Sequence, residues 1–329
     1  MPYNYSKTMP ELPEVETIAN GLDKKLRNRK ITGFWTDWPK YGVKKSVIGH
    51  QISHVGRRAK NVLIFFKDKH VLLVHQKMSG HLIVGRWTPN DSISNFKFLI
   101  SKKIPNNQRF KGQIKNTPEK WVNQKWLPIP FKGSLTEDEN RFIRLIFFLD
   151  NGQMLALSDL RRFAKIRFGT EKEVLEHADL QKLGPEPLEK EFVFKKFEEI
   201  FKKFSGRRAK AKIKQVLLDQ NFISGIGNIY ADEILWFTKI HPATPLAKIK
   251  PTQIKEIYTA TKKILNKAIK LGGTSADDYR DSDGNKGRYF AVRYAYARER
   301  MPCYRCKTPL QRIKIAARSS HFCPKCQKI

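Results

Sequence analysis

All four cysteines of this 329-residue sequence lie in its last 27 residues, as Cys303-x2-Cys306 and Cys323-x2-Cys326 with 16 residues between the pairs. Two CxxC knuckles at that spacing can supply four thiolates to one tetrahedral ion, so a single structural Zn2+ is expected on Cys303, Cys306, Cys323 and Cys326. Two disulfides would use the same residues, but the spacing and a reducing compartment favour the metal. Four thiolates close the tetrahedron and leave no position for a water, so metal-assisted hydrolysis is not expected. The ion instead orders a hairpin too short to fold unaided.

The remaining composition narrows the partner. Lys and Arg number 64 against 31 Asp and Glu, a formal net charge of +33, which favours a polyanion without separating DNA, RNA and an anionic membrane surface. No apolar run approaches the roughly 18 residues needed to span a bilayer. Residues 1–9, MPYNYSKTM, lack the apolar stretch of a secretory signal, so a cytoplasmic, nucleoid-associated protein with no membrane partner is expected.

The elements that must carry any chemistry can be read from periodicity. Val15, Ile18, Ala19, Leu22 and Leu26 recur at helical spacing after Pro13, with Glu14 and Glu16 in the first turn, which predicts a helix over 14–26. Strand-like runs follow at Val62–Phe66, Val71–His75, Phe142–Leu149 and Gln153–Leu157, the last two joined by Asp150-Asn151-Gly152 as a hairpin turn. The fold class is therefore α+β, an N-terminal antiparallel β-sandwich with flanking helices.

Residues 88–140 read as a long basic insertion with scattered aromatic anchors, Phe110, Trp121 and Trp126, and no recognisable chemistry. Turn formers at 183–188 mark a boundary, after which the signal is helical. Phe194, Phe197, Phe201 and Phe204 form one apolar stripe that reads as core, and helical patterns run over 208–236 and 251–271. The expected domains are 10–183, 184–300 and a zinc hairpin at 301–329.

Pro10-Glu11-Leu12-Pro13-Glu14-Val15-Glu16-Thr17 resembles the N-terminus of the formamidopyrimidine-DNA glycosylase family, whose relatives include the endonuclease VIII glycosylases. Residues 9–329 follow that family's motif order, and 88–140 is the main departure in length. The resemblance implies a monomeric DNA base-excision repair enzyme acting on double-stranded damaged DNA. It would remove 8-oxoguanine and formamidopyrimidines and then cut the abasic site by β,δ-elimination. It also implies a C-terminal helix–two-turns–helix domain ending in the zinc-ribbon hairpin.

By the same resemblance Pro10 is the nucleophile. A terminal proline is a secondary amine of near-neutral pKa, partly unprotonated at physiological pH and able to attack a sugar C1′. The resulting Schiff base acidifies the neighbouring sugar protons. Glu11 would give general acid–base help at the opening sugar, with Glu14 a supporting carboxylate. An internal proline nitrogen is an amide, so the chemistry requires Pro10 to be exposed. Translation from Met9, with Met9 then removed and residues 1–9 a non-native or processed extension, would expose it. Met1-Pro2 is a poorer candidate because Tyr3 follows where a carboxylate is wanted.

The other motifs are carried over one by one. Lys60 in Gly56-Arg57-Arg58-Ala59-Lys60 matches the lysine presented to the lesion. Met78, within 75–82, matches the side chain that fills the hole left by the extruded nucleotide, a step costing a few kcal/mol that apolar wedges partly offset. Arg161 would address the orphaned base, Phe163 would wedge the stack and Arg162 would contact phosphate. That trio favours the oxidised-purine branch over the endonuclease VIII branch. Ala164 stands where the family has Gly, a small restriction on the loop.

Residues 214–233, KQVLLDQNFISGIGNIYADE, resemble the helix–two-turns–helix element, with Lys214 expected among the DNA-binding residues and Asn228 at a phosphate. Gly225 and Gly227 would permit close backbone approach, and N–H groups at the next helix start would grip a phosphate. Arg318, five residues before Cys323, matches the zinc-hairpin arginine that reaches the phosphate beside the lesion. Residues 271–290 resemble the loop that closes over the flipped base. Two alternatives remain open: an endonuclease VIII-like glycosylase for oxidised pyrimidines, and a non-catalytic DNA-binding zinc protein if Pro10 is never exposed.

Overall fold

The computed structural model describes residues 9–90 and 124–329, which divide into two compact units. Phe110 and Trp121 lie outside the described residues. The first unit comprises Glu14–His177 with Thr274–Gly287; the second comprises the chain start through Pro13, Ala178–Gly273 and Arg288–Ile329.

The first unit is built on helix α1 (Leu12–Leu26) and two four-stranded antiparallel sheets. One sheet has the order β1 (Ile31–Thr36), β8 (Ile143–Leu149), β9 (Met154–Asp159), β5 (Gly80–Gly85). The other has the order β10 (Lys165–Thr170), β4 (His70–His75), β3 (Asn61–Phe66), β2 (Ile52–Arg58). Alternate residues of both sheets, among them Val62, Ile64, Leu72, Val74, Leu145, Phe147, Leu155 and Leu157, meet in one core closed by Val15, Ile18, Leu22 and Leu26 of α1. This is the expected antiparallel sandwich, and the apolar stripe of α1 is its lid.

A second cluster covers the outer face of the first sheet. Trp87 of β6 (Trp87–Pro89) and Trp126 of β7 (Trp126–Pro128) pack on Trp35, Ile83, Ile146 and Phe148. Trp126 is thus the anchor that its aromatic character suggested. The two-residue turn Ala59-Lys60 joins β2 to β3, with Ala59 in the left-handed region at φ 52°.

The second unit is helical. After α2 (Glu171–Leu175) at the end of the first unit, it contains the short helix α3 (Ala178–Gln181), α4 (Phe194–Arg208), α5 (Ile213–Leu218), α6 (Asn228–Phe237) and α7 (Pro251–Lys270). Phe197 and Phe201 of α4 are buried and pack edge-on against Phe222, as a core stripe should. The pattern over 208–236 resolves into two helices, α5 and α6, separated by the turns at 219–227. The chain ends in a hairpin, β11 (Gln311–Ile315) and β12 (Arg318–Phe322). Cys303 and Cys323 are buried there with Trp236 of α6 and Leu310, so the cysteine segment packs as part of the helical unit. Among the described residues no helix is long and apolar enough to cross a membrane.

Candidate active site

Glu11 is the most tightly held of the expected catalytic residues. Its side chain is buried, and the backbone N–H groups of Gly227, Ile229 and Tyr230 donate to its carboxylate at 2.7, 2.8 and 3.3 Å. These are the groups at the start of α6, so a carboxylate distant in sequence caps that helix and is favoured as an anion by its dipole. Leu12 N–H donates to the Gly225 carbonyl at 3.0 Å, which binds the next residue of the chain start to the same turn.

The two glycines are required by this contact. Gly225 has φ +92°, and a Cβ on it would fall 2.7 Å from Leu12, while a Cβ on Gly227 would overlap the Glu11 carboxyl group. The close backbone approach expected of them is made to Glu11 and Leu12. The Gly227, Ile229 and Tyr230 N–H groups expected to grip a phosphate are therefore already engaged by Glu11. Asn228 keeps a buried side-chain oxygen with no hydrogen-bond partner among the described residues. Pro10 itself is buried beside Glu11 in the chain.

Lys214 does not lie where the sequence reading put it. Its side chain is fully buried, with the ammonium 2.6 Å from Asp232 Oδ1 and donating to the Ser319 carbonyl at 2.7 Å. Asp232 also accepts from Ser320 Oγ, His321 N and His321 Nδ1, each at 3.0 Å. Burial works against ionising this carboxyl, but Lys214 and His321 outweigh it and hold its pKa below the ordinary value. A side chain locked and buried in this way is not available to contact DNA. It instead fixes the strand that begins with Arg318. Arg318 is exposed, directly after a turn in which Ala316 and Ala317 are both left-handed at φ 47° and 61°.

A third buried carboxylate, Glu233, accepts from Tyr289 OH and from the N–H groups of Tyr294, Ala295 and Tyr296 at 2.7–3.0 Å. It organises the approach to the cysteines. The four ligand atoms of Cys303, Cys306, Cys323 and Cys326 all lie within 4.8 Å of one another, and all four cysteines are free thiols. Zinc–sulfur bonds of about 2.3 Å in a tetrahedron place the sulfurs about 3.8 Å apart, so the cluster fits one structural ion. Without a cation the thiols compete for charge. Hydrogen bonding from Thr308 draws Cys306 down to about 6, while burial and its hydrogen bonds with Cys306 and Cys323 push Cys326 up to about 12.

The sandwich unit gathers the remaining expected residues at one end of its β10-β4-β3-β2 sheet. Arg58 pairs with Asn61, and both Asn61 and Lys165 pair with His75, so three chain segments meet there: the Lys60 turn, the residues after β4 and those before β10. Lys60 is 8 % exposed. His75 is held neutral, with its pKa lowered to about 3 by burial and by the charges of Lys77 and Lys60.

Met78, Arg161 and Phe163 come together as expected. Arg161 Nη1 lies 3.6 Å from Met78 Sδ, and its guanidinium stacks over the Phe163 ring at 4.6 Å, with Phe163 48 % exposed. Asp159, fully buried, fixes the loop by accepting from Ser79 Oγ, Tyr41 OH and Ala164 N at 2.7, 3.0 and 2.9 Å. The left-handed residue of the loop is Arg162, at φ 57°, so alanine at 164 brings no strain. Arg162, expected at a phosphate, lies over Trp38 with its fork 3.6 Å from Asp37 and its side chain 37% exposed.

Sequence reasoning found no chemistry in 88–140, yet its last residues hold the Gly-, Asp- and Ser-rich loop in place. Arg280, fully buried, pairs with Glu137 at 2.9 Å and Glu139 at 2.5 Å. Asn140 and Ser134 donate to the Gly284 and Asp283 carbonyls, and Glu14 accepts from Thr274 N–H at 2.7 Å. Glu14 thus anchors the loop rather than standing free. No pattern signals these contacts, because the partners are more than 130 residues apart.

Residues 9–166 match the N-terminal domain of formamidopyrimidine-DNA glycosylase, 183–280 its H2TH domain, and 302–329 a zinc finger found in FPG and IleRS. The formamidopyrimidine-DNA glycosylase of Chloroflexus aurantiacus is 35% identical over 97% of this chain and 98% of its own. That of Streptococcus mutans is 31% identical over 97% and 100%. Among solved structures, Lactococcus lactis Fpg in complex with abasic-site DNA superposes with a TM-score of 0.74 at 28% identity, covering 97% of this chain and all of that one. MutM in complex with carbocyclic 8-oxo-G DNA superposes at 0.73 with the same identity. A sandwich, an H2TH element and a four-cysteine hairpin in this order define a class of zinc-finger DNA glycosylases. The chain belongs to the formamidopyrimidine-DNA glycosylase family. It is a glycosylase of the base-excision repair kind.

Proposed function

We propose that this protein removes oxidised purines, 8-oxoguanine and formamidopyrimidines, from double-stranded DNA and then cuts the strand as an abasic-site lyase. The observation carrying the proposal is the fixed carboxylate next to Pro10, with Glu11 held by the N–H groups of Gly227, Ile229 and Tyr230. The free Pro10 nitrogen attacks C1′, the glycosidic bond breaks and the base leaves with a proton. The sugar opens as an iminium on Pro10. Loss of a C2′ proton breaks the C3′–O bond, and a second elimination breaks the C5′–O bond. Glu11 relays the proton to and from the opening sugar and balances the iminium charge.

Lys60, whose charge helps keep His75 neutral, acts on the lesion nucleotide. Met78 and Phe163 fill the stack, and Arg161, aligned between them, addresses the orphaned base. Arg318 contacts the phosphate beside the lesion, and Lys214 is a positioning residue for its strand. Zinc orders that hairpin.

The nucleophile must be a free amine, so the active form begins at Pro10. Intact-mass measurement of the protein from its native host should give Pro10 as the first residue. Activity is tested by base release from duplexes carrying a single lesion. Preferential release of 8-oxoguanine is expected, and preference for thymine glycol would contradict the purine assignment.

A further inference from the structure

At the opposite end of the β10-β4-β3-β2 sheet, about 17 Å along β4 from His75 at ~3.4 Å per residue, three metal-ligating side chains converge. His50 precedes β2, Asp68 lies in the β3–β4 turn and His70 opens β4. One ligand atom from each lies within 4.8 Å of the others. His50 Nδ1 is 2.5 Å from Asp68 Oδ2, and His70 Nδ1 is 3.4 Å from Asp68 Oδ1. This cluster is separate from the cysteine site and from the residues assigned above to catalysis.

Hydrogen-bond direction makes the cluster informative. His50 Nε2 lies 2.8 Å from the Ser46 carbonyl oxygen, which can only accept, so Nε2 carries the hydrogen. His50 Nδ1 is then the nitrogen turned toward the Asp68 carboxylate, and their 2.5 Å approach is bridged by a proton or by a metal ion. A ring whose distal N–H is fixed by a backbone carbonyl is the arrangement that orients a metal-binding histidine. Both rings are further held against Phe168, at centroid distances of 5.1 and 5.4 Å, and lie 4.6 Å from each other. The Glu173 carboxylate adds negative field at His70.

We propose that His50, Asp68 and His70 form a second metal site, for a divalent transition ion that takes imidazole and carboxylate ligands, such as Zn2+, Ni2+ or Co2+. Two nitrogens and one oxygen suit these ions and leave positions open to water. The present spacings are somewhat contracted at the His50–Asp68 pair, and Asp68, half exposed, is free to shift outward on binding. The ion would tie the lead-in to β2 to the β3–β4 turn, stabilising the end of the sheet away from Lys60 and Met78.

The test uses the full chain with its cysteine-bound zinc retained, dialysed against Ni2+ and analysed for both metals. One Ni2+ per chain beyond the single zinc, a melting temperature raised by Ni2+, and affinity weakened about tenfold or more in His50→Gln, Asp68→Asn and His70→Gln are expected. His54, stacked on Phe65 nearby in sequence, is the control, and His54→Gln should bind Ni2+ as the parent does. Failure to take up a further equivalent, with the cluster held together by a proton alone, would overturn the proposal. So would uptake that survives His50→Gln combined with His70→Gln. Glycosylase activity should be unchanged in each single variant, which keeps this outcome distinct from failure of the assigned function.

Discussion

Asp232→Asn should cost the helical unit far more than a surface charge change. Lys214 and Asp232 are both fully buried, so solvent screening gives no discount. The amide would leave the Lys214 ammonium buried with neutral acceptors only and no counter-charge. It would also set an N–H2 group against Ser320 Oγ–H or the His321 N–H, which now donate to the carboxylate. Breaking a buried pair in this way costs about 3–5 kcal/mol. At about 2–4 °C per kcal/mol that lowers the melting temperature by about 6–20 °C.

Lys214→Met should cost less, because Asp232 keeps three donors, from Ser320 and His321. The pH dependence has a definite sign. The pKa of Asp232 is lowered in the folded state, so its contribution is complete above the unfolded value of about 3.9 and fades as pH falls through the lower folded value. The deficit of Asp232→Asn is therefore full at neutral pH and shrinks in acid. Calorimetry of the zinc-loaded protein between neutral and acid pH measures both. A deficit under about 1 kcal/mol at neutral pH, a larger loss in Lys214→Met, or a deficit that grows in acid would refute the reasoning.

Four other perturbations have defined outcomes. Chelating the zinc, or Cys326→Ser, should open the hairpin carrying Arg318, seen as new tryptic cleavage within 311–325. Zinc binding should release protons and weaken as pH falls, since Cys326 is pushed up to about 12 without the ion. Gln76→Leu should stabilise the sandwich unit by about 1–2 kcal/mol in urea unfolding, because both amide atoms of Gln76 are buried without hydrogen bonds among the described residues. A loss of stability would mean that Gln76 has an unrecognised partner. Ala317→Gly should give a net gain of about 0.5–1 kcal/mol by relieving a left-handed alanine, less the added freedom of the unfolded chain. A lower melting temperature would contradict it.

The residues of the site were more legible in the sequence than the contacts that hold them. Val62–Phe66 and Val71–His75 read as strands because both are continuous apolar runs, and α1 read as a helix because one face is apolar. β10 has no continuous apolar run; its signal is the short alternation of exposed Lys165 and Arg167 with half-buried Ile166 and Phe168, too brief to stand out before pairing to β4 defines it. Lys214 was misread because a lysine in a motif looks the same whether it faces phosphate or a buried aspartate 18 residues on. Asp159, Asp232 and Glu233 act through partners elsewhere in the chain, which local periodicity does not register. The value of residues 134–140 likewise lies in what they hold, the loop from Thr274 to Gly287.

The most direct measurement is borohydride reduction of the protein, prepared with Pro10 as its first residue, during its reaction with a duplex containing 8-oxoguanine. Peptide mapping of the trapped species should place the deoxyribose on the Pro10 nitrogen, and a preparation with that nitrogen acylated should neither trap nor cut. An adduct on Lys60 or another lysine, or strand cleavage undiminished by acylation, would contradict the assignment of Pro10 as nucleophile.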